Sequence, residues 1–192
     1  NVDHPVSLYA ATKKSNELLA HAYSHLYGIP TTGLRFFTVY GAWGRPDMAY
    51  YSFTDAIFND RPIKVFNNGK LERDFTYIDD VVEAILKLLH LPPKANPKWC
   101  EANDELSGSF APFKIYNIGN SQPVLIEKFI SILEEIIGKK ANIIYSDMQP
   151  GDVLKTYADV SGLEKAIGFK PNTRLEEGLR QFVDWYKKYH RK

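Results

Sequence analysis

The amino-acid sequence predicts an α/β fold, because helix-like and strand-like stretches alternate along its 192 residues. Apolar residues make up 44% of the chain and charged residues 24%, a mixture typical of globular proteins with a buried core. No internal repeat or low-complexity tract interrupts the alternation. The length suits roughly one domain or one and a half.

The charge balance argues against partners that are held by bulk charge. Lys and Arg total 24 against 23 for Asp and Glu, so the net charge is +1 and we expect neither nucleic acid nor a membrane surface as a partner. No apolar run is long enough to span a bilayer, and no signal peptide opens the chain. The single cysteine and five scattered histidines predict a cytoplasmic, reducing location and no metal site.

The first third of the chain predicts two helices and two strands. A helix is expected to begin after Ser7, a favourable N-cap residue, and to end at Gly28. The apolar stretch from Thr32 to Phe37 predicts a buried strand. A second helix is expected over residues 50–59, and residues 64–66 predict a short strand.

The remainder predicts three more helices around an irregular stretch. Asp79 is expected to cap a helix, and Thr173 with Glu176 to form a capping box at the start of the last one. Residues 115–118 predict a strand, and residues 126–137 carry apolar side chains at helical spacing. The buried face of the last helix is predicted to be Leu175, Leu179, Phe182, Val183 and Tyr186.

Tyr9 and Lys13 form the sharpest local chemical signal. Residues four apart on a helix lie on one face, so the phenol and the ammonium can serve one site. A tyrosine phenol is a poor base at neutral pH, and a nearby cation favours its phenolate form. Such a pair can take a proton from an alcohol while a cofactor removes the hydride. The alternative is an amphipathic helix with one side chain in the core and the other snorkelling, and this pair alone leaves both open.

Several ordered motifs accompany this pair. They are residues 34–41 (LRFFTVYG), 43–49 (WGRPDMA), 73–81 (RDFTYIDDV), 116–120 (YNIGN) and 149–153 (QPGDV). Together with Tyr9 and Lys13 they resemble the extended short-chain dehydrogenase/reductase superfamily, specifically its NAD-dependent nucleotide-sugar epimerases and dehydratases. Within that group the pattern most resembles UDP-glucuronate 4-epimerases, through essentially the whole chain.

The resemblance implies the C-terminal part of an extended Rossmann-type, NAD(P)-binding epimerase. Family members begin with a Gly-rich turn that places a pyrophosphate at a helix N-terminus, and no Gly-x-x-Gly-x-x-Gly follows a strand here. We therefore expect a chain that lacks an N-terminal Gly-rich half of roughly 130 to 150 residues. Residues 1–47 would end the dinucleotide-binding domain, residues 48–192 would mainly form a small α/β substrate-binding domain, and residues 91–112 an irregular insertion.

Roles for individual residues follow from the resemblance. It implies that Tyr9 exchanges a proton with the sugar 4-hydroxyl and that Lys13 binds the nicotinamide ribose of NAD. The cofactor-binding residues that it implies are Tyr9, Lys13, Phe36, Phe37 and Val39. The substrate-binding residues that it implies are Thr38, Arg45, Met48, Lys64, Val65, Phe66, Arg73, Gln149 and Asp152.

Some of these substrate positions carry specific expectations. Thr38 stands where galactose-type epimerases carry Asn, and its hydroxyl is expected near the sugar. Arg45 would match a sugar carboxylate, with a solvated loop arginine as the alternative. Arg73 resembles the residue that clamps the diphosphate, and Gln149 replaces an Arg that many relatives carry. Residues 64–66 resemble the strand whose backbone reads uracil.

The resemblance implies reversible 4-epimerisation of UDP-glucuronate to UDP-galacturonate through a transient 4-keto sugar. A 4,6-dehydratase and a UDP-glucuronate decarboxylase share the first oxidation and remain alternatives, as does an inactive UDP-sugar-binding fragment. Without the Gly-rich half, we expect the 192-residue chain alone to be inactive. The full-length protein is expected to form a homodimer through the catalytic helix.

Overall fold

Helices and strands alternate in the computed structural model, which describes residues 2–100, 102, 105–149 and 151–191. In chain order its helices and strands are α1 (Leu8–Tyr27), β1 (Thr31–Phe36), β2 (Thr38–Tyr40), α2 (Ala49–Phe58), β3 (Pro62–Phe66), β4 (Glu72–Tyr77), α3 (Ile78–Leu89), β5 (Phe113–Ile118), β6 (Pro123–Leu125), α4 (Ile126–Ile137), β7 (Asn142–Ser146), α5 (Ser161–Ile167) and α6 (Leu175–His190). This confirms the α/β class predicted from the sequence.

Most of the strand pairs are parallel, as expected where helices connect the strands. β1 pairs with β5, β2 with β4, and β3 with β7, all in parallel, whereas β6 joins the other edge of β4 in the antiparallel sense. The register places Thr38 beside Phe75 and Val65 beside Tyr145. β4 therefore lies between β2 and β6 in its sheet.

Two buried clusters hold these elements together. The larger lies among β3, β4, α2, α4 and α6, and stacks the rings of Phe75 and Phe129 with 4.6 Å between centroids. The smaller joins α3, β5 and α5 around Ala84, Ile118 and Leu163. The buried face predicted for α6 is confirmed, since Leu175, Leu179, Phe182, Val183 and Tyr186 all belong to the larger cluster.

The predicted ends of α1 and the span of α4 are confirmed. The Ser7 hydroxyl accepts a hydrogen bond from the Ala10 backbone N–H at 3.2 Å, which satisfies one free donor of the first turn. Gly28 follows the last turn of α1 with a φ of 65°, a left-handed conformation that glycine adopts without strain. The α4 helix spans residues 126–137 as predicted.

Two predicted helix caps are wrong. Tyr77 precedes α3 at the N-cap position, and Asp79 lies in the first turn, where its carboxylate still faces the positive end of the helix dipole. Arg174 stands at the N-cap of α6, and the predicted capping box does not form. The Thr173 hydroxyl instead donates to the buried Asp80 carboxylate at 2.9 Å, so a tertiary partner has replaced the local one.

The stretch between α3 and β5 contains neither a helix nor a strand among its described residues. Gly108 makes an isolated bridge to Lys114, and the Ser109 hydroxyl lies 2.9 Å from His21 Nε2. The described part of the insertion therefore packs against β5 and α1. Among the described residues, no helix combines the length and the apolarity needed to cross a bilayer.

Candidate functional site

A cavity of about 270 Å³ opens beside β4, between β3 and the start of α2. Its wall is formed by Thr38, Met48, Ala49, Tyr50, Phe53, Lys64, Val65, Phe66, Leu71, Arg73, Phe75 and Ile126. Among them are six positions that the sequence singled out for substrate: Thr38, Met48, Lys64, Val65, Phe66 and Arg73. The wall is largely apolar and includes two cationic side chains, a composition that suits a flat ring joined to an anion.

The strand geometry explains why residues far apart in sequence share this wall. Side chains alternate between the two faces of a strand, so Arg73 and Phe75 of β4 point to the cavity while Asp74 points to the opposite face. The parallel pairing of β2 with β4 brings Thr38 beside Phe75. In β3, the Lys64 ammonium lies 4.9 Å from the centre of the Phe66 ring, a favourable cation–π contact.

Arg73 is the more enclosed cation, with 17% of its side chain exposed. Its Nη1 donates to the carbonyl oxygens of Val153 at 2.7 Å and of Glu72 at 3.0 Å. Its Nη2 lies 3.6 Å from the Asp152 carboxylate. These contacts leave the guanidinium at the edge of the cavity, held by a segment from late in the chain.

Asp152 lies beside this arginine, and both Asp152 and Gln149 lie outside the cavity wall that the described residues form. The Gln149 carbonyl accepts a hydrogen bond from the Asp152 backbone N–H at 3.2 Å, which closes a turn. Gln149 is exposed, whereas Asp152 is partly covered and contacts Arg73. The structure thus brings Asp152 to the site edge and leaves the Gln149 side chain at the surface.

Arg45 also lies outside the described cavity wall. Its guanidinium bonds the Asp47 carboxylate in two places, with Nε at 3.1 Å and Nη2 at 2.7 Å, and it stays largely exposed. The loop that carries it is fixed at Gly44, where an added Cβ would lie 1.5 Å from the Tyr50 hydroxyl. Burial raises the pKa of that Tyr50 phenol above its ordinary value.

Tyr9 and Lys13 lie together on an exposed face of α1. The Lys13 ammonium is 5.3 Å from the centre of the Tyr9 ring, and 71% of Tyr9 is exposed. Lys13 is exposed as well, so neither side chain belongs to the core. The helix therefore presents the phenol and the ammonium side by side, available to a ligand.

The start of α1 adjoins the segment that contacts Arg73. A Cβ added to Gly151 would lie 3.7 Å from the Ser7 Cβ and 3.8 Å from the Val6 carbonyl oxygen. Gly151 directly precedes Asp152 and adopts a φ of 84°, which allows this close approach. The end of α1 that carries Tyr9 thus neighbours the edge of the cavity that carries Arg73.

The three residues expected beside the nicotinamide have different surroundings. Phe36 ends β1 with half of its surface exposed. Phe37 and Val39 pack against the smaller buried cluster, and the Phe37 N–H donates to the Ile118 carbonyl at 3.0 Å. Phe36 therefore offers open ring surface to a ligand, while the other two support the strand behind it.

Sequence reasoning missed half of the cavity wall. The missed residues are Ala49, Tyr50, Phe53, Leu71, Phe75 and Ile126. Ala49 and Phe75 lie within quoted motifs but were given no role, and the spacing of the other four is that of ordinary core residues. The alternation along β4 could have indicated Phe75, since it is two residues from Arg73.

Comparison with known proteins gives a consistent result. The sequence model of the NAD dependent epimerase/dehydratase family matches residues 1–119. CapI of Staphylococcus aureus is 57% identical over 192 residues, which cover 100% of this chain and 58% of that protein. A probable UDP-glucuronate 4-epimerase of Rhizobium meliloti (strain 1021) is 50% identical over 192 residues, 99% of this chain and 56% of that protein. The chain thus spans little more than half the length of these relatives.

A similar fold occurs in a solved structure. The crystal structure of UDP-glucuronic acid 4-epimerase from Bacillus cereus, in complex with UDP-glucuronic acid and NAD, superposes with a TM-score of 0.81 at 34% sequence identity. The superposition covers 97% of this chain and 54% of that one.

Proposed function

The chain belongs to the NAD dependent epimerase/dehydratase family, and from this premise we propose that it forms the substrate-binding part of a UDP-sugar 4-epimerase that converts UDP-glucuronate to UDP-galacturonate. One observation carries the proposal: six residues that the family resemblance implies for substrate binding meet in one cavity wall, beside the end of α1 that bears Tyr9. The names of two relatives, the Rhizobium meliloti and Bacillus cereus proteins, support this choice of substrate.

The size and chemistry of the cavity suit the nucleoside end of such a substrate. A volume of about 270 Å³ lies near the lower limit of small-ligand pockets, so it matches a nucleoside better than a whole nucleotide sugar. The apolar wall would receive the uracil ring beside β3, and Arg73 at the edge would pair with the diphosphate. The sugar would then extend past Thr38 toward the start of α1.

Tyr9 and Lys13 would carry out the proton chemistry at that end. The phenolate of Tyr9 would accept the proton of the sugar 4-hydroxyl and later return it, while the neighbouring Lys13 ammonium favours the charged phenolate. The exposed pair and the open ring of Phe36 fit the nicotinamide riboside of NAD. When bound, NAD would supply the acceptor and donor of the C4 hydride.

Replacement of Tyr9 tests this proposal. In the product of the complete gene, Tyr9→Phe should reduce the turnover of UDP-glucuronate by roughly a thousandfold, because proton transfer loses its acceptor, while the Kd of UDP stays unchanged. Tyr145→Phe, which removes an exposed phenol on β7, serves as the matched control. Undiminished turnover in Tyr9→Phe would overturn the assignment.

We also propose that the 192-residue chain has no NAD-dependent turnover of its own. The reason is that it contains no Gly-x-x-Gly-x-x-Gly after a strand to cradle a dinucleotide pyrophosphate. The purified chain is therefore expected to leave UDP-glucuronate unchanged in the presence of NAD. Measurable epimerisation by this chain would contradict the proposal.

The exposed apolar residues of α1 support a further proposal, a homodimer contact in the complete protein. Leu18, Leu19 and Leu26 are all exposed on this helix, more apolar surface than a solvated helix usually carries. Sedimentation equilibrium of the complete gene product is expected to give twice the mass of its chain. A single-chain mass would refute the contact.

A further inference from the structure

Asp74 is a buried carboxylate directly behind the cavity, next to Arg73 in β4. Its side chain is 0% exposed, and its two oxygens accept three backbone hydrogen bonds. Oδ1 accepts from Asn120 N at 3.0 Å, and Oδ2 accepts from Ser121 N at 3.0 Å and from Ala158 N at 2.9 Å. One side chain thus ties two separate segments of the chain to β4.

The second of these segments, residues 152–158, is here named the β4 strap. Besides Ala158, it is bound through Thr156, whose hydroxyl accepts from the Asp74 backbone N–H at 3.0 Å. Glu72 adds two backbone bonds, with its N–H donating to Leu154 at 2.9 Å and its carbonyl accepting from Thr156 at 3.2 Å. The strap is therefore fastened along β4 from residue 154 onward.

Arg73 contacts the first two residues of the strap, Asp152 and Val153. The Val153 carbonyl and the Asp152 carboxylate both contact the guanidinium, as described above. Because these partners belong to the strap, the position of the guanidinium depends on where the strap lies. The bonds at Asp74 and Thr156 set that position from inside the protein.

We propose that Asp74 is a positioning residue for nucleotide binding, which holds the β4 strap so that Arg73 faces the edge of the cavity. The inference rests on the proposed function, in which Arg73 meets the diphosphate of a UDP-sugar. Asp74 itself does not touch the nucleotide in this arrangement, since its side chain lies on the opposite face of β4 from the cavity wall. Asp74 therefore affects the affinity for the nucleotide only through the position of the Arg73 guanidinium.

Asn in place of Asp74 probes the role with little change in volume. An amide has one acceptor oxygen, so in either orientation its NH₂ group meets a backbone N–H that the carboxylate had satisfied. The strap or the 120–121 turn is then left with an unpaired buried donor. Asp80→Asn is the matched control, because Asp80 is also buried and also accepts three bonds, all from Asn172 and Thr173, which lead into α6.

The test is the binding of UDP to the complete gene product by calorimetry, with steady-state kinetics on UDP-glucuronate. Asp74→Asn should raise the Kd of UDP and the KM roughly tenfold with little change in kcat, since it removes binding that ground and transition states share. Asp80→Asn should lower the thermal midpoint to a similar degree and leave the Kd of UDP unchanged. Equal Kd values for the two variants would overturn the proposal.

A gentler pair of variants keeps the test decisive if Asp74→Asn fails to fold. Thr156→Val removes the hydroxyl that accepts from the Asp74 backbone, and Thr156→Ser keeps it. The first should raise the Kd of UDP about threefold and the second should match wild type. Identical Kd values for Thr156→Val and wild type would refute the role of the strap, whereas wild-type protein that does not bind UDP would overturn the proposed function itself.

Discussion

The Glu17 carboxylate and the Arg35 guanidinium form a bidentate ion pair between α1 and β1. Arg35 Nε lies 2.6 Å from Oε1 and Nη2 lies 2.7 Å from Oε2. The hydrogen bond to Glu17 raises the pKa of Arg35, so the guanidinium stays charged. Glu17 follows Lys13 by one helical turn, and Arg35 precedes Thr38 by three residues along the chain. The pair therefore fixes the helix with the proposed catalytic residues against the strand that leads to the cavity.

Loss of this pair is expected to destabilise the fold. Glu17→Gln should lower the free energy of unfolding by about 1 kcal/mol, because it removes a partly buried charge-assisted pair and leaves Arg35 underpaired. Urea denaturation measures the change. Glu83→Gln is the control, since it loses only an exposed contact with Lys87 at 3.3 Å and should unfold within a few tenths of a kcal/mol of wild type. Equal midpoints for the two variants would show that the pair contributes nothing.

Arg73 is expected to dominate the affinity for the nucleotide. Arg73→Gln in the complete gene product should weaken UDP binding roughly thirtyfold, or about 2 kcal/mol, because the diphosphate loses charge-assisted hydrogen bonds. Lys139→Gln is its control: it removes a cation that pairs with Asp60 at 2.6 Å, outside both the described cavity wall and the β4 strap. Similar losses in both variants would mean that general charge, and not this guanidinium, binds the nucleotide.

A pH-dependent contribution to stability is expected from Glu134. Burial alone raises the pKa of this carboxyl, but hydrogen bonds from the Lys140 ammonium at 2.6 Å and the Ala141 N–H at 2.9 Å outweigh it and hold the pKa below its ordinary value. A lowered folded-state pKa contributes stability that is present above the unfolded pKa of about 4.3 and is lost as the pH falls through the folded value.

The matching experiment compares Glu134→Gln with wild type across pH. The variant should be less stable by about 1 kcal/mol at pH 7, and the difference should shrink once the pH falls below about 4. Glu135→Gln, at the exposed neighbouring position, should show a smaller difference at pH 7. A difference for Glu134→Gln that is independent of pH between about 7 and 3 would contradict the assigned hydrogen bonds.

The elements that the sequence predicted correctly are those with local signals. Ser7 marks the start of α1 because its side chain accepts a hydrogen bond from the first turn, and Gly28 marks the end because its backbone adopts a left-handed conformation. The apolar spacing of α6 likewise shows directly which face of that helix is buried. The cap assigned to Thr173 is wrong because a tertiary partner takes its hydroxyl, and the cap assigned to Asp79 is wrong because α3 begins one residue before it, after Tyr77. Thr173 bonds Asp80, 93 positions away in the chain, and a local sequence pattern cannot predict so distant a partner.

The site residues also divide into those that the sequence indicated and those that depend on tertiary contacts. The resemblance to the epimerase family implied six positions of the cavity wall, but it gave no role to the aromatic residues Tyr50, Phe53 and Phe75. Asp74 was passed over, since nothing in the letters around it shows that its carboxylate is buried under three backbone donors. Short strands such as β6 and β7 were missed as well, because their pairing with β4 and β3 depends on long-range contacts rather than on local propensity.

The central claim is best tested by the product that the complete gene product makes from UDP-glucuronate, measured by mass spectrometry and by NMR of the sugar ring. Epimerisation at C4 predicts UDP-galacturonate, with an unchanged mass and an axial 4-hydroxyl. A product lighter by water would indicate a dehydratase, and one lighter by carbon dioxide a decarboxylase. Either result, or the absence of any product from protein with bound NAD, would contradict the proposed epimerase.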